Sequence, residues 1–242
     1  MANFPFQRLQ SDLAALIERT PAGSRLVSEP ELARQLGVSR ATLREAMRTF
    51  ETQGLIRRRQ GAGTFVVGKV PVIDAGLEVL ESLETMARRL NLAITVSDLN
   101  IEQVDAVQDQ ALALGVEIGT CLTRIRRVMR ADTRPVAYLI DTLPETVLPI
   151  NSLPDGFHGS VLDFLLERGE DLRISRAAIS ATNASADVAK ALEIQRGDVL
   201  LQFLSQLYTG DGRIVDYTVS YFIPGYFNFH VVRRIGNWLL NG

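Results

Sequence analysis

Three arginines, Arg40, Arg44 and Arg48, recur at every fourth residue. On a helix that spacing puts them on one face. An arginine in the first turns of such a helix can grip guanine O6 and N7 with two hydrogen bonds, or clamp a phosphate. A solvated basic face is the ordinary alternative. A second basic group follows. Arg57-Arg58-Arg59 runs into Gln60-Gly61-Ala62-Gly63 and then Thr64-Phe65-Val66-Val67. This pattern reads as a β-hairpin with a small, bendable tip. Gly61 and Gly63 let the tip backbone approach DNA closely, and Arg59 flanks them. Other reactive chemistry is sparse. His158 and His230 sit in unrelated contexts, and the single cysteine, Cys121, has no metal-ligand neighbours. The only lysines are Lys69 and Lys190. No catalytic set, no metal site and no cofactor is expected.

The elements that would position these arginines are legible around them. Leu43, Ala46, Met47 and Phe50 stand at i, i+3, i+4 and i+7, the inner stripe of the same helix. Ser39 can cap its start, and Gly37 suits a left-handed turn just before it. Leu32, Ala33 and Leu36 form the inner face of a preceding helix. Its start carries Ser28 three residues before Glu31, the capping-box spacing, with Pro30 in the first turn. Phe6, Leu9, Leu13, Leu16 and Ile17 give a first helix with one apolar stripe, ended by Pro21-Ala22-Gly23. Helix, helix, turn, arginine-bearing helix and hairpin together predict a helix-turn-helix with a wing over residues 1–68.

Residues 69–92 read as a connector. Ile73, Leu77, Leu80, Leu83, Ala87 and Leu90 follow helical spacing, which predicts an amphipathic helix packed on the second domain or between domains. A dimer seam is the alternative, but the stretch is short for a sustained coiled coil. Residues 93–242 contain an internal repeat. Residues 111–144 parallel 190–224: Leu114 matches Leu192, Gly119 matches Gly197 and Leu122 matches Leu200. After a one-residue insertion, Asp132, Arg134, Val136 and Tyr138 match Asp211, Arg213, Val215 and Tyr217. Each copy reads helix, turn, strand, polar turn, strand. Two such units predict an antiparallel sheet with helices to one side, so the fold class is α+β.

Charge is divided between the two parts. Residues 1–70 hold 11 Lys and Arg against 6 Asp and Glu, a net +5, and the remaining residues hold 15 against 22, a net −7. A basic head on an acidic body suggests that only the head meets a polyanion. No apolar run reaches the ~18 residues of a membrane span, and the N-terminus lacks the pattern of a signal peptide. With one cysteine, no internal disulfide is possible, which fits a cytoplasmic protein.

The segment from Ser28 to Val66 resembles the winged helix-turn-helix of GntR-family bacterial transcription regulators, with nearly every fixed position of that pattern present. The resemblance implies operator contacts at Ser39, Arg40, Thr42 and Arg44 and a wing tip at Gly61 near the minor groove. One position departs: Pro30 stands where the family often has an operator-contacting arginine. The C-terminal part resembles the UTRA effector domain of the HutC branch, a fold similar to chorismate lyase. Its carriers are RVMRADTRPVAYLIDTLP, GSVLDFLLERG, AKALEIQRGDVLLQF and GDGRIVDYTVSYFIP. This resemblance implies effector contacts at Arg127, Ser160, Asp216 and Tyr221. A guanidinium forks onto a carboxylate or phosphate, and a serine at a helix start favours anions. Each also has an ordinary reading: Arg127 paired with a surface acid, Ser160 a helix cap only, Asp216 facing water. Met129 stands where many such domains carry a second arginine. That predicts an apolar wall in the pocket and a less highly charged or partly apolar effector. The expected function is a homodimeric transcription regulator, a repressor. It would bind a near-palindromic double-stranded DNA operator under control of a small metabolite. An enzyme with chorismate-lyase-like activity and an effector-independent DNA-binding protein are the rivals.

Overall fold

The structure, a computed structural model, describes residues 5–59, 62–67, 73–154, 157 and 159–233. Gly61 and His158 lie outside the described residues. At the N-terminus the apolar stripes fold against one another. Helices α1 (Pro5–Arg19), α2 (Glu29–Gln35) and α3 (Arg40–Thr52) bury Leu9, Leu13, Ile17, Leu32, Ala33, Leu43, Ala46, Met47 and Phe50 in one cluster. The antiparallel hairpin β1 (Ile56–Arg59) and β2 (Gly63–Val66) closes it with Ile56 and Val66. Gly37 takes a φ of +66° between α2 and α3. Ser39 caps α3, its hydroxyl accepting from Thr42 N at 3.1 Å. Ser28 occupies the N-cap of α2 but makes no side-chain cap. The expected capping box is absent because Glu31 turns along the helix, pairing with Arg34 and accepting from Gln35 Nε2.

The connector carries the expected helix only in its second half. Residues Ile73–Gly76 form a strand, β3, and only Leu83–Arg89 are helical, as α4. Ile73 and Ala75 are buried with exposed Asp74 between them. That is period two, the strand signature, over a stretch too short to distinguish from helical spacing. A parallel partner far along the chain, β10 (Phe227–His230), fixes the choice. Leu77, Val79 and Leu80 then run exposed in a loop, Val79 at 71%. Ser82 caps α4, which buries Leu83, Met86 and Ala87 on the C-terminal domain.

The C-terminal sheet has the order β4-β5-β6-β9-β8-β7. Its strands are β4 (Ile94–Asp105), β5 (Cys121–Ala131), β6 (Arg134–Pro144), β7 (Leu172–Asn183), β8 (Val199–Thr209) and β9 (Ile214–Phe222), all antiparallel to their neighbours. The repeat is real and longer than the aligned segments. Each copy begins with a 12-residue strand, β4 or β7, followed by a short helix, α5 (Gln108–Leu114) or α7 (Ala186–Ala191). Loop hydrogen bonds repeat as well: Gly119 N donates to Ala106 O as Gly197 N donates to Ala184 O. The outer strands carry little sequence identity because none of their residues is fully buried, so packing constrains them less. The two copies meet at β6 and β9, giving the sheet an approximate two-fold axis at its centre. Helix α6 (Val161–Glu167) lies between the copies in sequence. No described helix is long and apolar enough to cross a membrane.

Candidate DNA-binding surface and effector cavity

On the head, the start of α3 presents Ser39, Arg40, Thr42 and Arg44, all exposed. Ser39 and Thr42 bridge by their hydroxyls at 2.8 Å, so one pair serves both as cap and as a polar outer surface. Arg44 Nε donates to Glu29 Oε2 at 2.6 Å, yet its side chain stays 57% exposed. An exposed ion pair of this kind is weak and can exchange for a phosphate. On the wing, Arg57 and Arg59 are exposed, and the Arg59 guanidinium lies 5.2 Å from the Phe65 ring centre. Arg25 folds against Gly63 at the base of the tip, where any Cβ would strike its guanidinium.

Arg48, on the same helix face, differs from this group in its partner. It pairs with Asp198 at the start of β8, Nε donating at 2.9 Å. The turn geometry places Arg48 on the arginine face, and packing of the head on the body leaves it half-buried and paired. The same junction holds Gly54, whose carbonyl accepts from Arg134 Nη1 at 2.7 Å. The Tyr226 ring occupies the space a Cβ at Gly54 would need.

The body carries a cavity of about 540 Å3 over one face of its sheet, a size suited to a small metabolite. The floor is made by residues two apart on neighbouring strands, which therefore share a face. They are Arg127 on β5, Leu139 and Asp141 on β6, Asp216, Thr218, Ser220 and Phe222 on β9, and Phe203, Ser205 and Leu207 on β8. The connector forms the roof, with Leu77, Glu84 and Met86, and Phe229 of β10 closes one side. Phe203, Phe222 and Phe229 pack ring to ring at 4.6–5.0 Å.

Three of the four expected effector residues meet here. Arg127 is 4% exposed, and its Nη1 donates to Asp141 Oδ2. Its acid partner is thus buried in the cavity floor and not on the surface. Arg127 Nε faces Glu84 Oε1 at 3.9 Å, beyond hydrogen-bond reach, and neither atom has a partner. Asp216 is buried, not facing water. Its Oδ1 accepts from Thr142 N at 3.2 Å and its Oδ2 from Thr218 Oγ1 at 3.0 Å. Ser160 lines the cavity and also caps α6, accepting from Asp163 N at 3.2 Å. The anion preference expected there is opposed by Asp163 itself, whose carboxylate sits in the first turn and accepts from Ser82 Oγ at 2.6 Å.

Tyr221 is one residue out of step with Ser220 and Phe222, so it leaves the opposite face. It stacks on Tyr138 there, ring centres 6.4 Å apart, and has no place on the cavity wall. Met129 shares the face of Arg127 but is fully buried in a cluster with Leu83 and Met86 of α4. The apolar wall exists, but the phenylalanines supply it. Glu84, Asp141 and the phenylalanines were missed in the sequence. Their roles depend on which strands become neighbours, and no local spacing marks them.

Burial and neighbouring charge set the electrostatics. Burial pulls Arg127 down, but Asp141 and Glu84 outweigh it and leave its pKa above the usual arginine value. Burial raises Glu84 despite Arg127 beside it. Asp216 is pushed well above the ordinary carboxylate value, by burial first and then by Asp141. The cluster holds more carboxyl groups than cations and is short of positive charge.

Comparison with known proteins agrees with both halves of this geometry. Residues 6–66 match the profile described as bacterial regulatory proteins, gntR family, and residues 89–228 match the UTRA domain. The HTH-type transcriptional regulator Rv0792c of Mycobacterium tuberculosis is 33% identical over 221 residues, covering 88% of this chain and 79% of that protein. The HTH-type transcriptional repressor NagR of Bacillus subtilis is 28% identical over 214 residues, covering 87% and 86%. Among solved structures, PhnF from Mycobacterium smegmatis superposes with a TM-score of 0.64 at 22% identity, over 94% of this chain and all of that one, a likeness of fold. With its winged helix-turn-helix head and its cavity-bearing antiparallel body, the chain belongs to the gntR family of bacterial regulatory proteins, among those that carry a UTRA domain.

Proposed function

We propose that the protein is a homodimeric cytoplasmic repressor whose grip on a near-palindromic operator is set by a small metabolite in the cavity over the sheet. The observation that carries this reading is the pairing of an exposed basic face on the head with a charge-bearing cavity on the body. Each subunit places the start of α3 in a major groove, with Arg40 and Arg44 toward base edges or phosphates and Ser39 and Thr42 beside them. Arg59, Gly61 and Gly63 bring the wing to the adjacent backbone. The repressor role is favoured by the likeness to NagR, a transcriptional repressor. Dimerisation is favoured by the exposed apolar rim of Val79, Leu80, Ile174, Val231 and Val232, which a second subunit can cover.

The route from cavity to head is short. Phe222 and Phe229 line the cavity, and the turn between them carries Gly225 and Tyr226 against Gln53 and Gly54 at the end of α3. A ligand that moves the phenylalanines moves the seat of the head. Control of DNA binding requires that the ligand prefer one of the two seatings.

Arg44→Ala tests the DNA side. It weakens binding to the operator by about 1–3 kcal/mol at fixed salt and leaves ligand binding intact. Wild-type affinity falls steeply with salt as counterions are released. Unchanged gel-shift affinity in the variant, or a flat salt dependence, contradicts the reading.

A further inference from the structure

The charges that surround Arg127 bear on what the cavity accepts. Arg127 and Arg173 are the only cations among its described lining residues. Arg173 pairs at the mouth with Asp171 at 2.6 Å and is largely exposed. The deep end therefore has one guanidinium, from β5. Facing it are Glu84 from α4, Asp141 from β6 and Asp216 from β9. Glu78 and Glu81 stand further out on the roof loop, Glu81 held by Arg89 at 2.9 Å. Arg127 is already committed to Asp141. A phosphate or carboxylate on a ligand would approach an arginine already paired with a carboxylate, and would have to be buried beside two further carboxyl groups that could not ionise with it there.

Of the two unused groups at this end, the carboxyl oxygen points the other way. Glu84 Oε1 is a buried acceptor without a donor, and Arg127 Nε is a buried donor without an acceptor. Carboxyl oxygens outnumber the N–H groups that could serve them. Beside this end lie the rings of Phe203, Phe222 and Phe229, which suit an apolar body and attract a cation by their faces. We propose that the effector is an amine: a protonated nitrogen lodged among Glu84, Asp141 and Asp216, joined to an apolar or aromatic body over the three phenylalanines. The proposal rests on the reading of this cavity as the effector site. Burial already holds Glu84 and Asp216 toward the protonated form. An arriving cation reverses that, so binding releases protons.

The test uses the full-length protein and matched probes: 2-phenylethylamine, tryptamine, their alcohol and carboxylate counterparts, and glucose 6-phosphate. Titration calorimetry in two buffers of different ionisation enthalpy reads affinity and proton release together. The amines are expected to bind at least tenfold tighter than the matched alcohols and acids, with proton release, and glucose 6-phosphate not to bind. Glu84→Gln is expected to weaken amine binding at least tenfold while circular dichroism stays unchanged. Tighter binding of glucose 6-phosphate or of the acids, failure of every amine, or indifference to Glu84→Gln overturns the proposal. Ser205→Trp fills the cavity floor and separates the two readings. Binding that survives it places the ligand elsewhere and removes the effector-site reading. Binding that it abolishes, but that favours anions, removes only the amine.

Discussion

Asp216 sits where a carboxylate is least at ease, buried beside Asp141 at the floor of a cavity. Its folded pKa lies well above the unfolded one. The native state therefore holds its proton more firmly than the unfolded chain does. The stability this contributes is fully present below the unfolded carboxyl range and is lost as pH rises through the folded value. Asp216→Asn keeps an acceptor for Thr142 N and removes the charge. The variant is expected to melt higher than the parent at neutral pH by about 2–4 °C, roughly the effect of 1 kcal/mol in a chain this size. The gap should close as pH falls toward the ordinary carboxyl range. Melting scans from pH 4 to 8 check this, and a variant less stable at every pH would contradict it. The same substitution should cost ligand affinity, since a site that binds charge is held at some expense of stability. Arg127 belongs to the same balance. Removing it alone leaves buried carboxylates uncompensated, so its truncation reads out folding as well as binding.

Among the elements, α3 is the one whose two ends do different work. Its start offers polar and basic groups to solvent, while its end is clamped to the body at Gly54. Gly54 has a φ of +70°, a left-handed conformation that ends the helix, and the Tyr226 ring leaves no room for a side chain. Gly54→Ala meets both obstacles, strained backbone and collision with Tyr226. It is expected to lower stability by more than about 1 kcal/mol, measured by urea titration. A neutral outcome would show that the head is not seated on Tyr226. The strands show the complementary case. A duplicated strand-helix-strand-strand unit builds the scaffold twice, but chemistry appears once: Arg127 and Asp141 belong to the first copy, Asp216 to the second, and they meet because β6 and β9 are neighbours.

At the scale of the whole molecule, the pairing of Arg48 with Asp198 joins the DNA-facing helix to the effector domain. If this contact governs seating of the head, Arg48→Ala and Asp198→Asn shift operator affinity in the same direction and blunt the effector response alike. If Arg48 instead grips DNA, Arg48→Ala alone weakens binding and Asp198→Asn does not. Fluorescence anisotropy with labelled operator separates these outcomes. Asn is chosen at 198 because it preserves the acceptor for Gln195 N, which donates to Asp198 Oδ2 at 3.0 Å.

The head was legible residue by residue, because a helix face is set by neighbours three and four positions away and Leu43, Ala46, Met47 and Phe50 report it directly. The repeat and the α+β class were legible for the same reason, as local patterns written twice. Arg127, Asp216 and Ser160 were legible as candidates through the family pattern. What the sequence could not decide was pairing at long range. Tyr221 lost its place to strand parity, a matter of one residue. Ile73 became strand and not helix because β10, more than 150 residues away, pairs with it. Arg48 gained an ion pair with Asp198 because the head packs on the body there. Arg127 became a cation enclosed by acids because β6 and β9 lie beside it. Each of these depends on which distant segments become neighbours, and that is fixed by burial of the whole core, which no local spacing records.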